Sequence, residues 1–280
     1  MRIQVDDVKL FFDVEGSKLR PDGPTMRQVP TLLLLHGGPG FDHSGFKPAF
    51  TRMADVAQVV YLDLRGNGRS DAGPRNKWTL EQWADDVDAF CHALSIDEPI
   101  VMGHSLGGIV AMIYAVRHPD HLSKLVLSST SIQPVAERSF AVFERLGGPA
   151  AREAAIAFWT DPNEAALARY EELCIPLYTR RAPMAGYLER AVRNPDMRLV
   201  FFEAELQRLD LLHQLHRIKC PTLIVAGEDD PITPLADMED IAAAMRPGPV
   251  RLARFADAGH GVYRDQPEGF FRELRDFIAA

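Results

Sequence analysis

A Gly-x-Ser-x-Gly pentapeptide between an apolar run and a helix-favouring segment constrains the fold more than any other stretch of the chain. The apolar run is Ile100 to Met102, the pentapeptide is Gly103 to Gly107, and the helix-favouring segment continues to Arg117. In a strand, sharp turn and helix of this kind, the flanking glycines are needed because a Cβ would collide with the neighbouring strand or helix. The pattern predicts that the Ser105 hydroxyl projects from a sheet at a helix N-terminus, the alternative being an ordinary glycine-rich turn.

Apolar runs and helical periodicity alternate between residues 56 and 128, which is typical of an α/β chain with a mostly parallel, doubly wound sheet. Period-2 patterns at residues 3–5 and 8–14 predict an opening antiparallel hairpin, and Ser17 to Pro30 is expected to be a loop. From about residue 131 to 215 helical stretches replace strands. We therefore predict a core of residues 1–130 and 216–280, with residues 131–215 inserted as a helical cap over the site.

Composition excludes several classes of partner and compartment. The chain has 280 residues, is 46% hydrophobic and carries a formal charge of -8, and it has no Lys/Arg run, so a nucleic-acid partner is not expected. Its three cysteines are far apart and form no CxxC, which indicates reduced core thiols rather than disulfides or a cysteine zinc site. Without a signal-peptide pattern or a membrane-length apolar run, we expect a soluble cytoplasmic protein that does not contact membranes.

Three further loops carry candidate chemistry. His36 to Gly40 reads His-Gly-Gly-Pro-Gly directly after a buried strand, and the N–H groups of such a turn can converge on an anion, although a flexible turn is the alternative. Asp230, chosen over Asp229 for its place before Pro231, follows a later strand. His260 stands between two glycines in the loop after the last predicted strand, where its ring could reach Ser105.

Two local features are expected to be structural. Asp63 is predicted to hold its turn by pairing with Arg65 or Arg69. The acidic positions 85, 86 and 88 are predicted to form the solvated face of a helix that begins after Thr79, and the histidines at 118 and 121 to be surface or capping residues.

The chain order Ser105, Asp230, His260 is the order of the α/β-hydrolase triad. On these residues and the His36 to Gly40 turn, the sequence resembles an α/β-hydrolase-fold serine hydrolase and, within that superfamily, the proline iminopeptidase group. It departs from many iminopeptidases at Leu106, where they carry tryptophan. The resemblance implies that cap glutamates bind a substrate amino terminus, and Glu203 and Glu205 are the candidates, with an ordinary solvated face as the alternative.

The chemistry expected from this resemblance needs no metal or organic cofactor. His260 would deprotonate Ser105, Asp230 would orient His260, and the N–H groups of Gly38 and Leu106 would hold the oxyanion. The substrate would be a small molecule or short peptide; no sequence feature indicates an oligomeric state. Three functions remain open: an aminopeptidase that releases an N-terminal proline or similar residue, a carboxylesterase or lactonase, and a ligand-binding protein without useful turnover.

Overall fold

An eight-stranded sheet lies at the centre of the part of the chain that the computed structural model describes, residues 1–133, 135–182 and 186–280. The strands are β1 Arg2–Val5, β2 Val8–Glu15, β3 Leu19–Asp22, β4 Thr25–Gln28, β5 Thr31–Leu35, β6 Gln58–Leu62, β7 Ile100–His104, β8 Lys124–Ser128, β9 Thr222–Gly227 and β10 Val250–Phe255. The spatial order of the eight-stranded sheet is β1-β2-β6-β5-β7-β8-β9-β10; β1 and β2 pair antiparallel, β2 runs antiparallel to β6, and every later pair is parallel. The predicted opening hairpin and mostly parallel sheet are therefore confirmed.

Helices cover both faces of this sheet and fill the segment between β8 and β9. The α-helices are α1 Leu80–Ala93, α2 Leu106–Arg117, α3 Ala136–Thr160, α4 Glu164–Leu173, α5 Tyr187–Arg190, α6 Pro195–Val200, α7 Leu206–Arg208, α8 Leu235–Ala244, α9 Val262–Asp265 and α10 Pro267–Ala279. A π-helical turn, Phe201–Glu205, joins α6 to α7. Short 3₁₀ turns occupy His43–Phe46, Ala49–Met53, Arg75–Lys77, Ile175–Leu177 and Leu212–Arg217.

The buried central strands separate two apolar layers. In β5, Leu33 and Leu35 face the layer that contains α1, α2 and α8, whereas Leu32 and Leu34 face the layer that contains α10 and the 49–53 turn. Such alternation follows from the two-residue period of a strand, and it makes a strand covered on both sides read as a continuous apolar run. The predicted doubly wound arrangement is thus confirmed.

Only helices and turns occur among the described residues between β8 and β9. The sequence predicts separate helices at 136–146 and 150–160; α3 spans both, but its backbone breaks at Gly148, where φ is 75°, immediately before Pro149. A third apolar cluster, built around Phe143 and Tyr170, lies within this helical segment. The segment therefore has its own small core apart from the sheet layers.

Three local predictions are wrong, and the first two concern residues 17–30 and Asp86. Ser17 to Pro30 was expected to be a loop but contains the hairpin β3–β4, whose strands are largely exposed and so lack the apolar alternation on which strand prediction depends. Asp86 is not on a solvated face: it is buried and accepts two hydrogen bonds from the buried Arg65, at 2.7 and 2.8 Å. The charge on Arg65 is thereby matched inside the core.

The predicted pairing of Asp63 with a guanidinium is also wrong. The Asp63 carboxylate accepts from the ring of His43 at 2.7 Å and from the backbone N–H of Arg69 at 2.9 Å. The Arg69 guanidinium binds Asp42 instead, at 2.5 Å. The turn is nevertheless held by Asp63, through a backbone donor rather than an ion pair.

The three cysteines are buried free thiols. Burial raises the pKa of the Cys91 thiol to about 12, which makes it a poor nucleophile at neutral pH. Within the described ranges, every helix is too short or too polar to cross a bilayer.

Candidate active site

Ser105 sits at the turn between β7 and α2 in a strained conformation. Its φ of 54° and ψ of -121° lie outside the regions that a non-glycine residue ordinarily adopts. A Cβ at Gly103 would overlap the carbonyl of Gly107, and a Cβ at Gly107 would overlap the carbonyl oxygen of Leu35. The two glycines are therefore required for the close approach of β7, α2 and β5, as the sequence predicts.

Ser105, His260 and Asp230 form one hydrogen-bonded chain. They follow β7, β10 and β9, whose carboxyl ends lie at the same edge of the parallel sheet. His260 Nε2 is 3.1 Å from Ser105 Oγ, and His260 Nδ1 is 2.9 Å from Asp230 Oδ2. Since Nδ1 faces a carboxylate, the neutral ring carries its proton there, which leaves the Nε2 lone pair directed at the serine hydroxyl.

Asp230, and not Asp229, is oriented toward the imidazole. Asp230 Oδ1 accepts from the backbone N–H groups of Ile232 at 2.8 Å and Thr233 at 3.0 Å, and Oδ2 accepts from the Thr233 hydroxyl at 2.6 Å. Asp229 pairs with Arg145, at 2.5 Å. Sequence reasoning missed Thr233, although an Asp followed at the third position by Thr in a Pro-containing loop is a recognisable side-chain-to-backbone turn.

The His36 to Gly40 turn lies directly beside Ser105. A Cβ added at Gly37 would be 3.2 Å from the Ser105 Cβ. His36 holds the turn: its Nε2 accepts from the Leu64 N–H at 3.2 Å, so its Nδ1 carries the proton and donates to the Gly37 carbonyl at 2.7 Å. Burial lowers the pKa of His36 and keeps it neutral.

Few backbone N–H groups of the His36 to Gly40 turn are free to bind an anion. The Gly40 N–H is already used by the Asn67 side chain, at 2.8 Å, and Pro39 has no N–H. Gly37 and Gly38 supply the remaining N–H groups after His36. On the serine side, the first N–H groups of α2 have no partner within the helix, and Leu106 supplies the first of them.

The helical segment is attached to the loop that carries His260. The His260 N–H donates to the Tyr178 carbonyl at 2.7 Å. Asp265, which is buried, accepts from the backbone N–H groups of Arg180 and Arg181, each at 3.0 Å, and from that of Gly259 at 2.8 Å. Sequence reasoning missed Asp265, because nothing in the sequence marks an aspartate that acts only on distant backbone groups.

A buried histidine lies behind His260. The ring of His104 is 5.1 Å from that of His260, centroid to centroid, and 5.4 Å from that of Tyr263. Burial holds the pKa of His104 well below its usual value, so its ring is neutral. It therefore fills space beside His260 without adding a charge that would compete for Asp230.

The structure does not place Glu205 at the Ser105 end of α2. Glu203 is exposed, whereas Glu205 is buried and accepts from the Leu80 N–H, the first of α1, at 2.9 Å. Glu205 also binds Arg208, and it lines a cavity of about 240 Å³ together with Ile113, in the C-terminal half of α2. Ile113 is eight residues from Ser105, roughly 12 Å along a helix, so the cavity lies toward the far end of α2.

One buried group near the turn has the composition of a metal site, Asp42, His43 and Asp63. Its carboxylate oxygens already accept from protein donors: Asp63 from His43 and from the Arg69 N–H, and Asp42 from the Arg69 guanidinium and the Val192 N–H. A cation there would have to displace these donors, so the group is best explained as a structural network.

Known proteins share this architecture. The family described as alpha/beta hydrolase fold matches residues 30–267. A pimeloyl-[acyl-carrier protein] methyl ester esterase from Neisseria meningitidis is 30% identical and covers 89% of this chain and 77% of its own. The proline iminopeptidase PfmaB from Pestalotiopsis fici is 25% identical over 96% of this chain and 98% of its own. A solved Mycobacterium smegmatis proline iminopeptidase aligns with a TM-score of 0.75 at 22% identity, over 100% of this chain and 97% of its own. The predicted resemblance and fold class are confirmed, and the chain is a hydrolase that belongs to the α/β hydrolase fold family.

Proposed function

We propose that the chain is a serine hydrolase that cleaves small carboxylic esters, including lactones, through an acyl-enzyme. The observation that carries the proposal is the unbroken contact from Ser105 Oγ through His260 to Asp230, at 3.1 and 2.9 Å. His260 Nε2 takes the hydroxyl proton as Ser105 attacks the carbonyl, then donates it to the leaving alcohol. Water, deprotonated by the same nitrogen, releases the acid and restores Ser105.

The negative charge of the tetrahedral intermediate is assigned to the Gly38 and Leu106 N–H groups. Support comes from the commitment of the Gly40 N–H to Asn67 and from the position of Leu106 at the start of α2. Both donors belong to backbone whose geometry is set before substrate binds, which is what makes such stabilisation effective. Removal of one comparable donor costs about 2.7–4 kcal/mol in related chemistry.

We favour esters over N-terminal amides as the substrates because several acidic side chains of residues 131–215 already have partners within the protein. An aminopeptidase needs a carboxylate near the nucleophile to pair with the substrate ammonium group. Glu205 is bound to Leu80 and Arg208, and Glu203 is exposed. Other carboxylates of the segment pair with arginines, namely Glu137 and Glu144 with Arg152 and Asp196 with Arg75.

A proline-iminopeptidase-like activity is the second candidate. It is favoured by the His-Gly-Gly-Pro-Gly turn at residues 36–40 and by the 25% identity to PfmaB, which is named a proline iminopeptidase. In this case either the exposed Glu203 would bind the substrate ammonium, or Glu205 would have to leave Leu80 and Arg208 to do so. A hydrolase-fold protein that binds a ligand without turnover is the remaining alternative.

Residues 131–215 are proposed to form the cap that decides which substrate reaches Ser105. Support comes from the hydrogen bond between the Tyr178 carbonyl and the His260 N–H, and from the separate apolar cluster of the segment. An element that touches the loop of the general base is well placed to shape the acyl pocket beside it.

The test compares initial rates on a short-chain p-nitrophenyl ester and on a prolyl p-nitroanilide, with Ser105→Ala as the blank. Ester turnover that Ser105→Ala abolishes, with little anilide turnover, is the expected result. A preference for the anilide that is lost on N-acetylation of the proline would instead establish the aminopeptidase.

Fluorophosphonate labelling separates a slow enzyme from a binding protein. A mass increase on the parent protein that is absent from Ser105→Ala is expected. If the parent protein neither labels nor turns over either substrate, the serine-hydrolase proposal is wrong. Circular dichroism of both proteins checks that Ser105→Ala remains folded.

A further inference from the structure

Three histidines converge on one aspartate at the C-terminal ends of α1 and α2. His121 Nδ1 is 3.0 Å from Asp88 Oδ1, His118 Nδ1 is 3.3 Å from the same oxygen, and His92 Nε2 is 3.5 Å from Asp88 Oδ2. No step proposed at Ser105 uses any of these side chains. An ion pair with Asp88 would need only one histidine, whereas three histidines contact its carboxylate.

We propose that Asp88, His92 and His121 bind a divalent zinc ion that joins α1 to the turn after α2. The three side chains each offer one ligand atom, and these atoms lie within 4.8 Å of one another. Zinc bonds of 2.0–2.1 Å at tetrahedral angles place neighbouring ligand atoms about 3.3 Å apart. His121 Nδ1 lies 3.0 Å from Asp88 Oδ1 and His92 Nε2 lies 3.5 Å from Asp88 Oδ2, so each imidazole is close to that separation from one of the two oxygens of the same carboxylate.

Helix geometry supplies two of the ligands. Asp88 and His92 are four residues apart on α1, so they share one face of the helix. His121 is placed opposite them, with its ring stacked on that of His92 at 5.0 Å and 10°. The Tyr114 hydroxyl lies 2.7 Å from His121 Nδ1, so zinc has to displace this hydrogen bond to reach that nitrogen.

The surroundings suit a cation. Asp88 and His121 are partly buried, with 19% and 17% of their side chains exposed, whereas His92 is 71% exposed and leaves a path from solvent. The guanidinium of Arg117, the residue before His118, is bound to both oxygens of Asp85, at 2.8 and 2.7 Å. Its charge is thus already balanced, and Asp88 remains to balance the metal.

Two imidazoles and a carboxylate form a common set of three protein ligands for zinc, in which water completes the tetrahedron. Zinc must also displace the contact between His121 Nδ1 and Asp88 Oδ1, and it replaces that contact with bonds from the metal to both side chains. Cysteine spacing gave no indication of this site, because its ligands come from separate elements and include no thiolate.

The experiment is calorimetric titration of the full, tag-free chain with zinc chloride in a weakly coordinating buffer. One zinc per chain is expected, and His92→Ala and His121→Ala should each weaken binding at least tenfold. The matched control is His213→Ala, because His213 makes a single surface contact with Asp210, at 3.2 Å. This control should bind zinc as the parent does.

Two further measurements guard against effects of folding. His92 is mostly exposed, so His92→Ala should keep the parent's Tm without metal, and zinc should raise the Tm of the parent but not of His92→Ala. Cobalt(II) should give the intense visible bands of a tetrahedral complex with the parent only. The proposal is overturned if zinc does not bind stoichiometrically, or if all variants bind and respond alike.

Discussion

Replacement of Asp265 should impair both stability and turnover, although Asp265 makes no contact with Ser105. Its carboxylate accepts three backbone N–H groups, two from the helical segment, at Arg180 and Arg181, and one from Gly259 beside His260. In Asp265→Ala all three donors lose their acceptor. In Asp265→Asn one oxygen remains, but the amide NH₂ must face an N–H group whichever way it turns.

The magnitude follows from the burial of each donor. The hydrogen bond to the Gly259 N–H is buried, and an unsatisfied buried donor costs about 1–3 kcal/mol. The other two bonds are partly buried, so water can replace Asp265 there at a smaller cost. We expect Asp265→Ala to lose about 2–4 kcal/mol of unfolding free energy, and Asp265→Asn less. At about 2–4 °C per kcal/mol for large domains, the Tm should fall by roughly 5–15 °C.

Turnover should fall because the loop that carries His260, the proposed general base, loses its anchor. We expect kcat for Ser105-dependent ester hydrolysis to fall about tenfold in both variants at a temperature where they stay folded, with KM changing less. The control is Asp120→Asn, an exposed aspartate that pairs with Lys219 at 2.9 Å, which should change neither quantity. If Asp265→Asn keeps the parent's Tm and kcat, the argument that this carboxylate positions the loop is refuted.

Three other perturbations test the site and its support. Asp230→Asn should lower kcat by about ten-thousand-fold and Asp229→Asn by no more than a few-fold, measured on the same ester; equal losses would reject the assignment. Gly107→Ala should lower stability to urea more than Gly148→Ala, because a Cβ at Gly107 overlaps a strand carbonyl. A Cβ at Gly148 meets nothing within 4 Å and costs only the backbone strain of φ 75° and ψ -175°, about 1–3 kcal/mol. Burial alone would raise the pKa of Asp63, but His43 and the nearby N–H groups hold it below its ordinary value. The ionised Asp63 carboxylate therefore stabilises the fold above about pH 4, and this stability is lost as the pH falls through the lowered pKa. Asp63→Asn should flatten the dependence of the unfolding free energy on pH in urea titrations from about pH 3 to 6.

The parts of the fold that could be predicted depend on local pattern. The buried strands β5 to β9 read as apolar runs because both their faces are covered, and the turn at Ser105 is marked by glycines whose absent Cβ atoms the packing requires. The contact among Ser105, Asp230 and His260 was anticipated from chain order, because each follows a strand that ends at one edge of the sheet.

The parts that could not be predicted depend on distant partners. Asp86 has the same local pattern as the less buried Asp85 and Asp88, and its burial is explained by Arg65, 21 residues away. Glu205 was considered for substrate binding because it is acidic and lies in the helical segment, yet its partner is the first N–H of α1, 125 residues away. Local periodicity carries no information about such pairings.

The attachment of Tyr178, Arg180 and Arg181 to the His260 loop has a consequence for recombination between relatives. Residues 178–181 supply a carbonyl to His260 and two N–H groups to Asp265, and all of these are backbone groups. A segment from another hydrolase could therefore replace residues 131–215 with little regard to side chains at 178–181, provided that its chain passes Asp265 along the same path. Chimaeras joined outside this short stretch should retain turnover while exchanging specificity, whereas junctions or length changes within it should lose both.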